Sequence, residues 1–112
     1  MATIANLYVD AGADYSNTIT VASSNTTPLN LTGYTVKSQI RKSYGSSTAY
    51  NFNPTIYDAV NGKVRVQLSA IQSEAIPPGR YLYDIEITQT STGIKTRVIE
   101  GLVIVNPQIT QI

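Results

Sequence analysis

The sequence has no cysteine, no histidine and no tryptophan, and only one methionine and one phenylalanine. Without cysteine there is no disulfide, no thiol nucleophile and no thiolate metal site. Without histidine there is no Ser-His-Asp triad and no imidazole ligand. Charge is scarce too. Eight basic and seven acidic residues leave a net charge of +1, and 13% of residues are charged, against about 25% in an average globular domain. A near-neutral chain has no electrostatic drive toward nucleic acid or an anionic membrane, and its weak self-repulsion tolerates association. No apolar run is long enough for a transmembrane helix. Residues 1–10 contain neither a basic residue nor an apolar stretch of signal-peptide length. The expectation is synthesis in the cytoplasm, no nucleic-acid or membrane partner, no cofactor, no metal and no enzymatic activity.

What is present is 112 residues, 42% of them hydrophobic, with eight tyrosines. That length suits one domain spanning residues 1–112, able to bury about two-thirds of its unfolded surface. Period two dominates. Tyr34, Val36, Ser38 and Ile40 alternate with Thr35, Lys37, Gln39 and Arg41. The same rule holds for Val64, Val66 and Leu68, for Tyr81, Tyr83, Ile85 and Ile87, and for Tyr15, Ile19 and Val21. This is the pattern of half-buried antiparallel strands. A short strand is expected over 4–9, short pieces on either side of Pro54, and a long strand over 94–105 in which Gly101 marks a bulge or a close backbone approach. Asn61-Gly62 is a hairpin signal, and Ser91-Thr92-Gly93 a second turn. The period breaks once. Ser69 with Gln72 has the spacing of a capping box, which predicts one short helix near 70–76, ended by Pro77-Pro78-Gly79. Turn spacing gives an all-β sandwich of seven to eight strands.

Few residues invite a chemical role. Asp84 and Glu86 share a strand face with carboxyls roughly 6–7 Å apart, a separation that overlaps an inverting glycosidase pair. Cross-strand pairing with Lys95 or Arg97 explains them without catalysis. Asp10 and Asp14 bracket a turn and lack the further oxygen ligands of a calcium loop. Lys37, Arg41, Lys42, Lys63 and Arg65 are candidates for one basic stripe. Tyr44 and Tyr50 are candidate surface-binding residues, because tyrosine is amphipathic and the loop between them is polar. Tyr81, just after Pro78-Gly79-Arg80, matches by analogy the tyrosine that locks a corner in immunoglobulin-like sandwiches.

Several phrases together resemble a phage family. Tyr8-Val-Asp-Ala-Gly-Ala-Asp-Tyr-Ser is similar to the opening of many small tail-associated proteins. The segments that begin at Leu29-Asn-Leu-Thr-Gly-Tyr, Gly62-Lys-Val-Arg-Val, Ile76-Pro-Pro-Gly-Arg-Tyr and Arg97-Val-Ile-Glu-Gly follow in the same order. The ordered set resembles virion structural proteins of tailed phages, marine cyanophages especially. It is also similar to the N-terminal domain of phage baseplate upper proteins, without the long C-terminal extensions those proteins carry. The resemblance implies an immunoglobulin-like antiparallel β-sandwich in the tail, neck or baseplate of the virion, without catalytic residues. The expected function is a non-enzymatic structural or adaptor protein that assembles with other virion proteins and as a homo-oligomer. The alternative is a module that binds carbohydrate or another host-surface ligand through Tyr44 and Tyr50. The expected contact strands are 4–9 and 98–105, both poor in edge-protecting Lys and Pro, through Ile4, Leu7, Val9, Val103 and Val105. The uncharged tail adds Ile109 and Ile112.

Overall fold

A computed structural model describes residues 3–22, 27–43 and 45–107. In chain order the strands are β1 (Thr3–Ile4), β2 (Leu7–Asp10), β3 (Tyr15–Thr20), β4 (Tyr34–Arg41), β5 (Ala49–Asn51), β6 (Thr55–Asp58) and β7 (Lys63–Leu68). Helix α1 (Ala70–Glu74) precedes β8 (Gly79–Gln89) and β9 (Lys95–Asn106). The larger sheet runs β1–β9–β8–β4–β5, with β2 continuing β1 along the same edge of β9. The smaller runs β3–β7–β6. The period-two segments sort as alternation dictates. Val64, Val66 and Leu68 of β7, and Tyr81, Tyr83, Ile85 and Ile87 of β8, are buried between the sheets.

The two sheets are joined at Phe52. Pro54 cannot donate to a ladder, so the chain between β5 and β6 leaves one sheet and enters the other. Asn53 makes the bend with φ +49°, a left-handed conformation that Asn tolerates better than most residues. Phe52 lies in the gap, fully buried. Its N–H donates to the Ser38 carbonyl of β4 (3.2 Å), and its carbonyl accepts from the Gln67 N–H of β7 (2.9 Å). Its ring stacks on Tyr15 (centroids 5.9 Å apart) and meets Tyr83 edge-on (5.7 Å).

The local signals give the expected local structures. Asn61-Gly62 closes the β6–β7 hairpin, with Gly62 at φ +67°; a Cβ there would lie 2.6 Å from the Val21 carbonyl oxygen. Ser69 and Gln72 form both bonds of a capping box at the start of α1. Ser73 is the buried residue of that helix, whereas Ile71 is 81% exposed.

Three expectations are corrected. The sandwich is not wholly antiparallel, because β1 and β2 pair with β9 in parallel, Thr3 beside Ile99 and Leu7 beside Val103. After β2 the chain crosses to β3 in the other sheet, so the opening strands have no hairpin partner and dock on the last one. β9 is therefore interior, flanked by β8 on one side and by β1 and β2 on the other. Nine strands are present among the described residues, more than seven to eight, partly because Ala5 and Asn6 divide the opening strand. There the Asn6 Oδ1 accepts the Leu102 N–H (3.0 Å), and the Ala5 carbonyl accepts the Tyr83 hydroxyl (2.6 Å).

Candidate functional site

The inner faces of both sheets are filled by the core, which leaves outer faces and sheet edges as the surfaces open to partners. The outer face of the larger sheet is concave, enclosing about 740 Å³. Alternation places Lys37 and Arg41 of β4, Asp84 and Glu86 of β8, and Arg97 and Glu100 of β9 along it. Arg97 and Glu100 share this face because of a register shift between Ile85 and Glu86 that leaves Val98 without a partner. The extra residue resets the alternation, so a side chain three positions from Glu100 points the same way. Arg97 Nε then lies 3.1 Å from Asp84, and its Nη1 3.4 Å from Glu100.

Burial pushes the Asp84 carboxyl above the usual carboxylate range. Arg97 pulls it back, while Glu86 and Glu100 push it further up. The expected cross-strand ladder is present through Arg97, and the Asp84 carboxylate is committed to that pair. Glu100 is the member that sequence reasoning missed, because a bulge leaves no mark in the amino-acid pattern. Of the two roles expected for Gly101, a bulge or a close backbone approach, the structure has the close approach: a Cβ there would overlap the Ala5 carbonyl oxygen.

The turn carboxylates also have structural partners. The Asp14 Oδ1 accepts the Ala70 N–H at the start of α1 (2.7 Å), and the Asp10 Oδ1 accepts from Asn106 Nδ2 (3.3 Å). Ser73 ties the same turn down, its Oγ accepting the Gly12 N–H (3.0 Å) and lying 2.8 Å from the Ala13 carbonyl. Among the described residues no group of three or more acidic side chains is placed to hold a metal ion. No helix among them is long and apolar enough to cross a membrane.

The candidate basic stripe does not exist as one surface. Lys37 and Arg41 lie in the larger sheet, Lys63 and Arg65 in the smaller. Lys42 sits over the Tyr81 ring (4.8 Å), and the Arg65 guanidinium over Tyr57 (3.8 Å). Of the candidate surface-binding pair, Tyr44 lies outside the described residues. Tyr50 is half-buried, its ring edge-on to Tyr81 at 6.3 Å. The candidate assembly residues divide. Leu7, Val9, Val103 and Val105 are buried in the core, where the inward phase of β2 and β9 puts them, so in this chain their side chains are not open to a partner. Ile4 of β1 is 71% exposed and Tyr8 of β2 67%, both on the β1–β2 edge. Ile109 and Ile112 lie outside the described residues.

The edges differ in how they are protected. β5 is three residues long. β6 carries Asp58, a register shift after Ile56, and Pro54 just before it. The β1–β2 edge is interrupted at Ala5 and Asn6. β3 runs for six unbroken residues, Tyr-Ser-Asn-Thr-Ile-Thr, without charge or proline.

A two-sheet sandwich whose Tyr81 and Tyr83 hydroxyls and Asp10, Asp14 and Asp84 carboxylates are committed to its own backbone, side chains and ion pairs defines a class of domain that presents faces and edges. The chain belongs to the family of BppU N-terminal domains, those of baseplate upper proteins, whose model matches residues 6–106. It is thus a phage baseplate-type domain. No curated protein matches it by sequence. Among solved structures it is similar to part of a family 123 glycoside hydrolase from Clostridium perfringens, with TM-score 0.51 and 14% identity over 96% of this chain. The chain spans 23% of that hydrolase, and the likeness is one of fold. A comparison with the NK cell receptor NKp44 gives TM-score 0.43 and 12% identity, covering 95% of this chain and 99% of that one.

Proposed function

We propose that this domain is a non-enzymatic structural or adaptor module of the phage baseplate, working through protein–protein contacts with its virion neighbours and with further copies of itself. The family match over residues 6–106 carries the reading. The geometry supports it: Asp14, Tyr81, Tyr83 and Asp84 are taken up in holding the fold, while an outer face and an uncharged edge strand stay open. The immunoglobulin-like character of the sandwich is supported by the Tyr81 hydroxyl, which donates to the Pro77 carbonyl four residues upstream (2.5 Å), the bond of a tyrosine corner.

The test is location. The chain carrying an epitope tag is expressed during infection, and purified virions are labelled with gold-conjugated antibody for electron microscopy. Label concentrated at the distal end of the tail is the expected result. Label on the capsid, or virions free of label, overturns the placement.

A further inference from the structure

We infer that the free edge of β3 pairs with β3 of a second copy, in antiparallel register about a twofold axis at Thr18. This rests on the self-association part of the proposed function and names the strand that performs it.

The phase of β3 decides which of its backbone groups are free. In an antiparallel ladder, successive residues send their N–H and C=O alternately to one neighbour and to the other. The Val21 N–H donates to the Gly62 carbonyl (2.7 Å), which fixes the pair 21–62 as hydrogen-bonded. The register continues through Ile19 with Val64, Asn17 with Val66 and Tyr15 with Leu68. The intervening residues therefore turn away from β7. The Gln67 N–H confirms the phase from the other side: it donates to the Phe52 carbonyl (2.9 Å), so its partner Ser16 faces outward. Ser16, Thr18 and Thr20 thus present their backbone donors and acceptors along the open edge, and no other described segment takes them up.

Those three positions are spaced to satisfy themselves. About a twofold at Thr18, Ser16 lies opposite Thr20 of the second copy, Thr18 opposite Thr18, and Thr20 opposite Ser16. All are outward-turned, so the register forms about six ladder hydrogen bonds. A shift by two residues in either direction forms fewer, and a shift by one places core-facing side chains opposite solvent-facing ones. The opposed side chains are hydroxylated and uncharged, a favourable cross-strand combination. The β7 strands of the two copies lie three strand spacings apart, roughly 14 Å. Arg65 leans from β7 toward the seam, its Nε donating to Thr18 Oγ1 (3.3 Å) while its guanidinium stays over the Tyr57 ring (3.8 Å). Of the other edges, β5 is too short, β6 is bulged and carries Asp58, and the β1–β2 edge is interrupted; their geometry offers no comparable ladder.

The chain contains no cysteine, which makes a single-thiol test clean. In a hydrogen-bonded antiparallel pair, facing Cα atoms lie about 5.5 Å apart, within the range of roughly 4.4–6.8 Å that a disulfide spans. Light scattering over a concentration series should show a species of twice 12.1 kDa in the unmodified protein. Under mild oxidation, Thr18→Cys should form a covalent dimer, and Ser16→Cys should not, because Ser16 faces Thr20. Thr18→Pro should return the mass to that of one chain while circular dichroism stays unchanged, since the lost N–H points outward and breaks no bond to β7. A dimer that survives Thr18→Pro, with no Thr18→Cys adduct, overturns the β3 assignment but leaves self-association standing. A single-chain mass at every concentration without any adduct overturns both. A Thr18→Cys adduct in virions to a different protein, with no self-adduct, assigns the edge to a foreign strand and overturns the inference. None of these outcomes alters the location result from labelled virions.

Discussion

Asp84 holds its charge against the preference of its surroundings. Burial raises its folded value above 3.8, and Arg97 offsets only part of the rise. In the unfolded chain the carboxyl titrates near its ordinary value. Between the two values the native state holds a proton that the unfolded state has released. The stability contributed by this group is therefore fully present below the ordinary value and is lost as pH rises through the folded one. Replacing the group removes that dependence. Urea unfolding of the wild type and Asp84→Asn should show a free-energy difference that favours the wild type more at about pH 3 than at about pH 7. A difference that grows toward neutral pH would show that attraction to Arg97, not burial, governs the site.

At the scale of elements, the contact between β1 and β9 depends on the missing side chain of Gly101. Any Cβ there meets the Ala5 carbonyl oxygen, a backbone atom that cannot rotate away. Gly101→Ala should release β1 while leaving the β8–β9 ladder in place. Hydrogen exchange should show lost protection at the Ala5 amide, which donates to the Glu100 carbonyl, with little change at the β8 amides; equal loss in both strands would refute the local account. The strands themselves were legible because alternation is a property of each segment alone: β4, β7 and β8 can be read from their own residues. The capping box and the Asn61-Gly62 hairpin were legible for the same reason. The parallel docking of β2 on β9 was not, because Leu7 and Val103 are remote in sequence and nothing local encodes their meeting. Alternation also tells which face of a strand a lysine occupies, not which sheet the strand joins. For that reason Lys37 and Lys63 read as one stripe and fold onto two sheets. The candidate site was half legible. Asp84 and Arg97 were readable as cross-strand partners, whereas Glu100 joins them through a bulge at Val98 that the sequence does not announce.

For the molecule as a whole, Phe52 makes the two sheets one cooperative unit. Its backbone bonds both sheets, and its ring touches Tyr15 from one and Tyr83 from the other. Phe52→Ala should cost about 3–5 kcal/mol, the range for a large aromatic removed from a packed core. Tyrosine fluorescence and far-ultraviolet circular dichroism should still report a single coincident transition at lower urea. Two separated transitions would show that the sheets unfold independently.

The parallel seating of β1 and β2 on β9 has a mechanical consequence. In this arrangement Thr3 lies beside Ile99 and Asp10 beside Asn106, so β1 begins at one end of the sheet edge and β9 finishes at the other. Tension applied between those two points drags the strands lengthwise past each other. The ladder bonds then bear the load together, in shear, instead of opening one after another as in a peeled hairpin. A domain wired this way resists stretching along its strands better than its equilibrium stability alone would suggest.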